Sequence, residues 1–409
     1  MPKVILFEPF DTDFGGHYFE YSATHTRFLM ENGHQPIFVL GGKRTTKLEE
    51  FLQNFNIKYY KIGIPVYKAR SKLPPLLKIP LNFFTETLRL IKLLKIAQKE
   101  NSALISVLTF GVYEALQLLL AVYYTNCKIP ITVTMHTITI EEKLSPHPKK
   151  ILNHFLSFFH FVFLRHLINK RGIVKRLFFY SDASRDLYRR NVTKQSTKIL
   201  FPVYFDYKNF NYTQQHSREL LQLPQNTPLL LIFNPDTRGK YINNLIKSLP
   251  LVNKHFKLVI VGYMSHKFDV DLKSLIKEHN LLDKVIIRNE FVDGKDKFHY
   301  INAVDISLLP YRDTYAKART ASSFFVECIM LKKPVIITTG VIETDKLIKD
   351  NKLGIVTSNT PKSWSDALNN FLGNFDKFIN SAEENAPKIR DKYFYANVLD
   401  KVYSKDILS

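Results

Sequence analysis

The sequence is short of cysteine, short of acid, and without any run able to cross a bilayer, and each shortage narrows the possibilities. Two cysteines among 409 residues, Cys127 and Cys328, cannot build a framework of bridges. Both sit among apolar neighbours and read as small core residues in a reducing compartment. Asp and Glu number 37 against 58 Lys and Arg, a formal charge of +21. No uncharged stretch approaches the roughly 20 residues a spanning helix needs. The nearest, Ile151 to Ile168, holds His154, His160, Arg165 and His166 and suits a buried or interfacial helix better. Met1-Pro-Lys-Val-Ile-Leu-Phe7 goes straight into strand-forming residues, so a cytoplasmic protein is expected. The phosphate loop Gly-x4-Gly-Lys-Ser/Thr, His-Glu-x-x-His, Cys-x-x-Cys and the Gly-x-Ser-x-Gly elbow are all missing. Asp11-x-Asp13 and Asp269-x-Asp271 are pairs of a common kind; neither a metal site nor a cofactor is expected.

What is present is an alternation of short apolar runs with helical periodicity, and 45% hydrophobic content gives two domains material for cores. Val4–Phe7, Gln35–Gly41, Ala103–Leu108, Ile131–Met135 and Ile173–Phe179 read as strands, with helices over His17–Asn32, Tyr113–Tyr124 and Arg185–Arg190 between them. Gly33 is placed to end the first helix. After Phe201-Pro-Val-Tyr-Phe-Asp206 and a polar stretch to Pro228 the alternation restarts. Leu229–Phe233, Lys257–Val261, Lys284–Arg288, Asp305–Leu309 and Val335–Ile337 are strands. Tyr241–Leu249, Asp271–His279 and Lys297–Ala303 are helices, and a final helix covers Asn385–Lys405. Strands alternating with helices imply α/β architecture with two doubly wound parallel sheets, their carboxyl edges facing a cleft. The expected organisation is a first domain over 1–203, a second over 204–384, and a C-terminal helix, 385–409, crossing back to the first.

The densest chemistry lies after Asp305–Leu309. Thr320-Ala-Ser-Ser323 can cap a helix, whose apolar face is Phe324, Phe325, Cys328, Ile329 and Leu331, with Glu327 a turn inside. A polar loop entering a helix N-terminus beside a sheet edge is a place for anions. An ordinary βαβ unit with a half-buried glutamate would read the same way.

Several segments then occur in order: Ile232-Phe-Asn-Pro-Asp-Thr-Arg-Gly-Lys240, Leu258-Val-Ile-Val-Gly262, Leu282-Asp-Lys-Val-Ile-Ile287, Phe291-Val292, Tyr300-x-x-Ala-Val-Asp-Ile-Ser-Leu-Leu-Pro310 and Glu327-Cys-Ile-Met-Leu-Lys-Lys-Pro-Val-Ile337. The series resembles the donor domain of GT-B glycosyltransferases, family 4 most closely. Phe14-Gly-Gly-His17, Asn32-Gly-His34, Met135-His136, Tyr180-Ser-Asp-Ala-Ser184 and Pro202-Val-Tyr-Phe-Asp206 match that family's first half. The resemblance implies two Rossmann-like domains and transfer of a sugar from a nucleotide-sugar donor without a metal, usually with retention at the anomeric carbon. Cations and helix amides aimed at the leaving diphosphate lower the barrier. On this resemblance Arg238 and Lys240 serve the diphosphate, Ser322, Ser323 and Phe324 offer it amides, and Glu327 holds the ribose. Gly15 and Gly16 bring backbone to the sugar-phosphate, and His136 meets the transferred sugar. Arg319 stands where the family has a first glutamate, Ser322 replaces its glycine, and Thr237 its arginine.

The charge points to a partner. Residues 1–200 hold 29 Lys and Arg against 14 Asp and Glu, and residues 201–409 hold 29 against 23. In the first half the basic residues alternate with Leu73-Pro-Pro-Leu-Leu77, Phe83-Phe84 and the Phe155–Leu164 run. That pattern is expected of a peripheral protein on the inner face of a membrane, meeting an anionic surface and a lipid-linked or glycan acceptor for a cell-surface polysaccharide or glycolipid. Nucleic acid would also suit the charge, but no recognition motif is present. A non-catalytic GT-B protein that binds a glycan or partner is the alternative, for which Arg319 speaks. A sugar epimerase on the same fold lacks a suitable carboxylate cluster.

Overall fold

The computed structural model describes residues 1–8, 17–40, 50, 52–62, 75–111, 114–135, 158–180, 182–199, 210–236, 240–292, 294–312 and 322–408. The chain forms two compact units. One comprises Met1–Tyr204 with Tyr395–Ser409, the other Phe205–Phe394.

The first unit is built on a seven-stranded parallel sheet of order β3-β2-β1-β4-β5-β6-β7. Its strands are β1 (Lys3–Glu8), β2 (Gln35–Leu40), β3 (Tyr59–Lys61), β4 (Leu104–Val107), β5 (Ile131–Met135), β6 (Val174–Phe179) and β7 (Ser196–Lys198). The inner strands are apolar almost end to end because helices cover both faces of such a sheet. Helix α1 (His17–Glu31) ends as its glycine requires. Gly33 takes φ 74, and the His34 amide reaches back to the Leu29 carbonyl at 2.9 Å. Helices α2 (Pro75–Lys99) and α3 (Glu114–Thr125) send Leu90, Leu93, Leu94, Leu118 and Val122 into the core. They are joined there by Leu164 and Leu167 of the helical residues 158–165 and the π-turn His166–Lys170.

The second unit carries a six-stranded parallel sheet, order β10-β9-β8-β11-β12-β13. Its strands are β8 (Leu229–Phe233), β9 (Lys257–Val261), β10 (Val285–Arg288), β11 (Ile306–Leu309), β12 (Val335–Thr338) and β13 (Gly354–Thr357). Trp364 and Phe371 anchor its core, and its helices α5 (Gln214–Leu220), α6 (Asn243–Ser248) and α7 (His266–Glu278) follow α4 (Asp182–Asn191) of the first unit. At the amino edge Asp305 accepts from Arg218 at 2.9 Å and from the Leu229 amide at 2.7 Å, which fixes the start of β8 beside β11.

Three sequence expectations change. The polar stretch before Pro228 contains a helix, Gln214–Leu220, capped by the Thr213 hydroxyl. The helix expected to open at Asp271 begins at His266, a turn earlier. The single helix over Asn385–Lys405 is broken: Phe375–Arg390 ends at a turn, and Tyr395–Val402 resumes. The break is forced because Tyr393 is buried in the second unit and Tyr395 in the first. Tyr395 donates to Glu31, and Tyr403 meets His25 Nδ1 at 2.6 Å while stacking on Phe28.

Candidate active site

At the carboxyl edge of the second sheet the chain makes two close approaches. Beyond β8, Asn234 takes a left-handed φ of 49 and its amide donates to Val261 at 2.8 Å. Gly262 lies against it with φ +133, and a Cβ there would come within 2.3 Å of Asn234 Oδ1, so only glycine fits. Lys240 pairs antiparallel with Tyr311, just past β11. The Tyr241 amide donates to the Pro310 carbonyl and Arg312 Nε to the Lys240 carbonyl, each at 2.7 Å. These bonds set where the Lys240 backbone sits.

The Lys240 ammonium donates to the Phe233 carbonyl and lies 5.6 Å from the centre of the Phe324 ring. Phe324 stacks on Phe233, with centroids 5.4 Å apart. Removal from water disfavours the charged amine and lowers its pKa to about 8, against the opposing pull of Glu327. An anion arriving here would meet a cation already stripped of solvent.

Helix α9 (Ser323–Met330) starts beside this lysine. The Ser322 hydroxyl accepts the Phe325 amide at 3.2 Å and is held by the Tyr311 hydroxyl at 2.6 Å. Ser322's own amide donates to Thr344 Oγ1 at 3.3 Å, so this residue acts as the cap. The next two amides, those of Ser323 and Phe324, belong to the open first turn, where backbone N–H groups attract anions. One turn in, Glu327 is buried and accepts from Lys297 Nζ at 2.9 Å. Lys297 comes from helix α8 (Gly294–Ala303) and is buried as well.

Lys240, Ser322, Ser323, Phe324 and Glu327 thus gather about one helix start. Gly15, Gly16, His136, Arg238 and Arg319 lie outside the described residues. Lys297, Tyr311 and Thr344 join the site without having been read from sequence. The Lys-Asp-Lys297 run looks like a solvated helix turn, and only packing turns its last lysine inward. Tyr311 could have been suspected, since it follows the strand-closing Pro310 directly.

Residues 213–389 match the family model described as glycosyl transferases group 1. No curated protein matches the chain. Among solved structures, a glycosyltransferase from Rickettsia africae is 18% identical, with 100% of this chain and 99% of that one covered at a TM-score of 0.71. Anabaena HepE in complex with UDP is 16% identical over 98% of each chain, TM-score 0.68. WaaG, a glycosyltransferase involved in lipopolysaccharide biosynthesis, is 14% identical over 98% of each chain, TM-score 0.62. At such identities the likeness is one of fold, and it extends over both units. Residues 213–389, most of the second unit, thus carry a group 1 glycosyl transferase domain, and the chain as a whole shares the fold of these glycosyltransferases.

Proposed function

We propose that the second unit binds a nucleotide-sugar donor at the start of α9, and that the enzyme transfers the sugar, without a metal and with retention, to a membrane-associated glycan or lipid acceptor. The observation that carries the donor reading is the desolvated Lys240 beside the open first turn of α9. Charge leaving with a nucleoside diphosphate is stabilised most by donors that need no reorganisation. Lys240 is held by its carbonyl and ring contacts, and the Ser323 and Phe324 amides by the Ser322 cap. Glu327 then accepts the ribose hydroxyls. The leaving-group charge falls, on this reading, to Lys240 and the amides, with Arg238 as a second cation; Gly15, Gly16, His136 and Arg319 complete the donor contacts.

The membrane reading rests on the outer face of the first unit. Helix α2 exposes Leu81, Phe84 and Leu88, and α3 exposes Leu120, Tyr123 and Tyr124. The segment 158–165 exposes Phe158, Phe159 and Val162. Each set follows three- and four-residue spacing, so each forms a stripe. Cations lie on these aromatics: Lys95 over Tyr124 at 5.3 Å and Arg171 over Tyr123 at 3.9 Å. Apolar side chains beside exposed cations match an anionic lipid surface. Among the described residues no helix is long and apolar enough to cross a membrane.

The donor is tested by calorimetry with a panel of nucleoside diphosphates and their sugars. Glu327→Ala should weaken binding of the matching nucleotide by about 1–3 kcal/mol. EDTA should leave turnover intact, and NMR of the first product should show the donor's anomeric configuration. Turnover lost to EDTA and restored by magnesium or manganese would refute the metal-free mechanism.

A further inference from the structure

Glu327 does not stand alone in its pocket. Lys297 Nζ is 2.9 Å from Glu327 Oε1, and the two side chains are only 8% and 9% exposed. They come from different helices, α8 and α9, and so from the two connections that flank β11 in sequence. A buried carboxylate without a partner gives up its charge or turns toward water. The lysine's bond to Oε1 favours one orientation of the carboxyl group.

We propose that Lys297 is the positioning residue of the donor site, holding Glu327 ionised and in one rotamer so that it can accept two vicinal hydroxyls of the nucleotide ribose. Lys297 itself touches no reacting atom. This inference rests on Glu327 being the ribose acceptor. The arrangement suits ribose in particular, because a fixed carboxylate with its charge retained matches a pair of neighbouring O–H donors. A 2′-deoxyribose offers only one of them.

The pairing also accounts for two lysines near one glutamate. Lys240 interacts with Glu327 through its charge but donates to the Phe233 carbonyl, whereas Lys297 makes the direct ion pair. The first is left to meet the diphosphate and the second is committed to the carboxylate. Loss of Lys297 should therefore act on ground-state donor binding, and loss of Lys240 on the step in which charge develops.

The experiment is a double-mutant cycle on the full-length chain, read by calorimetry with the nucleoside diphosphate that the wild type binds and by steady-state kinetics. Lys297→Met should weaken binding about ten- to hundredfold and raise KM, with kcat changed much less. Lys297→Arg, which keeps the charge, should recover much of the affinity. In the Glu327→Gln background Lys297→Met should have little further effect, since the carboxylate it serves is gone. That double variant also guards against misfolding, because it leaves no unpaired buried charge. Wild-type preference for the ribonucleotide over its 2′-deoxy analogue should shrink in Lys297→Met. Additive effects of the two substitutions, or an unchanged ribose preference, would overturn the inference. A wild type that binds no nucleoside diphosphate would instead sink the donor site itself.

Discussion

Lys240 is held at a cost. Its pKa of about 8 lies below the ordinary lysine value of 10.5. Between these values the unfolded chain binds more protons than the native one, so this group makes stability rise with pH across that window. Below about pH 8 the native state carries the whole penalty of the buried ammonium, on the order of 3 kcal/mol. Lys240→Met keeps the volume without the charge and should be more stable than the wild type at pH 7. The difference should close as pH approaches 10.5, a trend that urea titrations at several pH values can follow. The same variant should lose turnover about a hundredfold, the scale of one lost transition-state donor. In the wild type, kcat/KM should fall as pH rises through about 8, since it reports the free enzyme and the cation is lost there. A Lys240→Met protein with wild-type turnover would remove this residue from the site.

Elements can be told apart by their glycines. Gly354 opens the edge strand β13 at φ +147, and a Cβ there would stand 1.9 Å from the Val335 carbonyl oxygen. Gly33 also has positive φ, 74, but nothing lies within 4 Å of its would-be Cβ. Gly354→Ala should therefore cost about 3 kcal/mol or more, from clash and strain together, and Gly33→Ala about 1–2 kcal/mol. Trp364 is the only tryptophan and is buried in the second unit. Its fluorescence should register Gly354→Ala as a lower urea midpoint and pass over Gly33→Ala. Equal effects at this probe would refute the assignment of close approach.

Legibility in the sequence follows from burial. Leu229–Phe233, Lys257–Val261 and Ile306–Leu309 could be read because strands covered on both faces are unbroken apolar runs. Ser196–Lys198 and Gly354–Thr357 lie at sheet edges, half-covered, and their residues carry no comparable run. Ser322 and Glu327 were legible because capping and a lone carboxylate in an apolar helix are local features. Lys297 was not, because its partner is 30 residues away in sequence and nothing local distinguishes it from Lys295.

At the scale of the whole molecule the charge asymmetry becomes testable. Lys68, Arg70, Lys72 and Lys78, the basic residues around Leu73–Leu77, lie with that run outside the residues whose side chains are described. Replacement is better aimed at Phe84, Leu88 and Phe158, which project from α2 and from 158–165, and at Lys95 and Arg171 beside the exposed tyrosines. The wild type should co-sediment with vesicles containing phosphatidylserine and stay in the supernatant when the vesicles are neutral. Each basic residue near such a surface adds about 1 kcal/mol, so replacing Lys95 and Arg171 together should weaken binding by roughly tenfold or more. Replacing Phe84 and Phe158 should reduce the fraction that stays bound in high salt, where apolar insertion persists and charge is screened. Equal binding to both kinds of vesicle, or to neither, would leave the basic face as a solubility device.

The first unit is discontinuous in sequence, because Tyr395–Ser409 follow the second unit yet dock on α1. During synthesis, at about 5–20 residues per second, the ribosome must make all of Phe205–Phe394 before His25 can meet Tyr403. The second unit therefore has every contact it needs before the first does, reversing the usual amino-to-carboxyl order in which domains mature. A nascent chain halted before Tyr395 would present a finished second unit while the first still waits for its last piece.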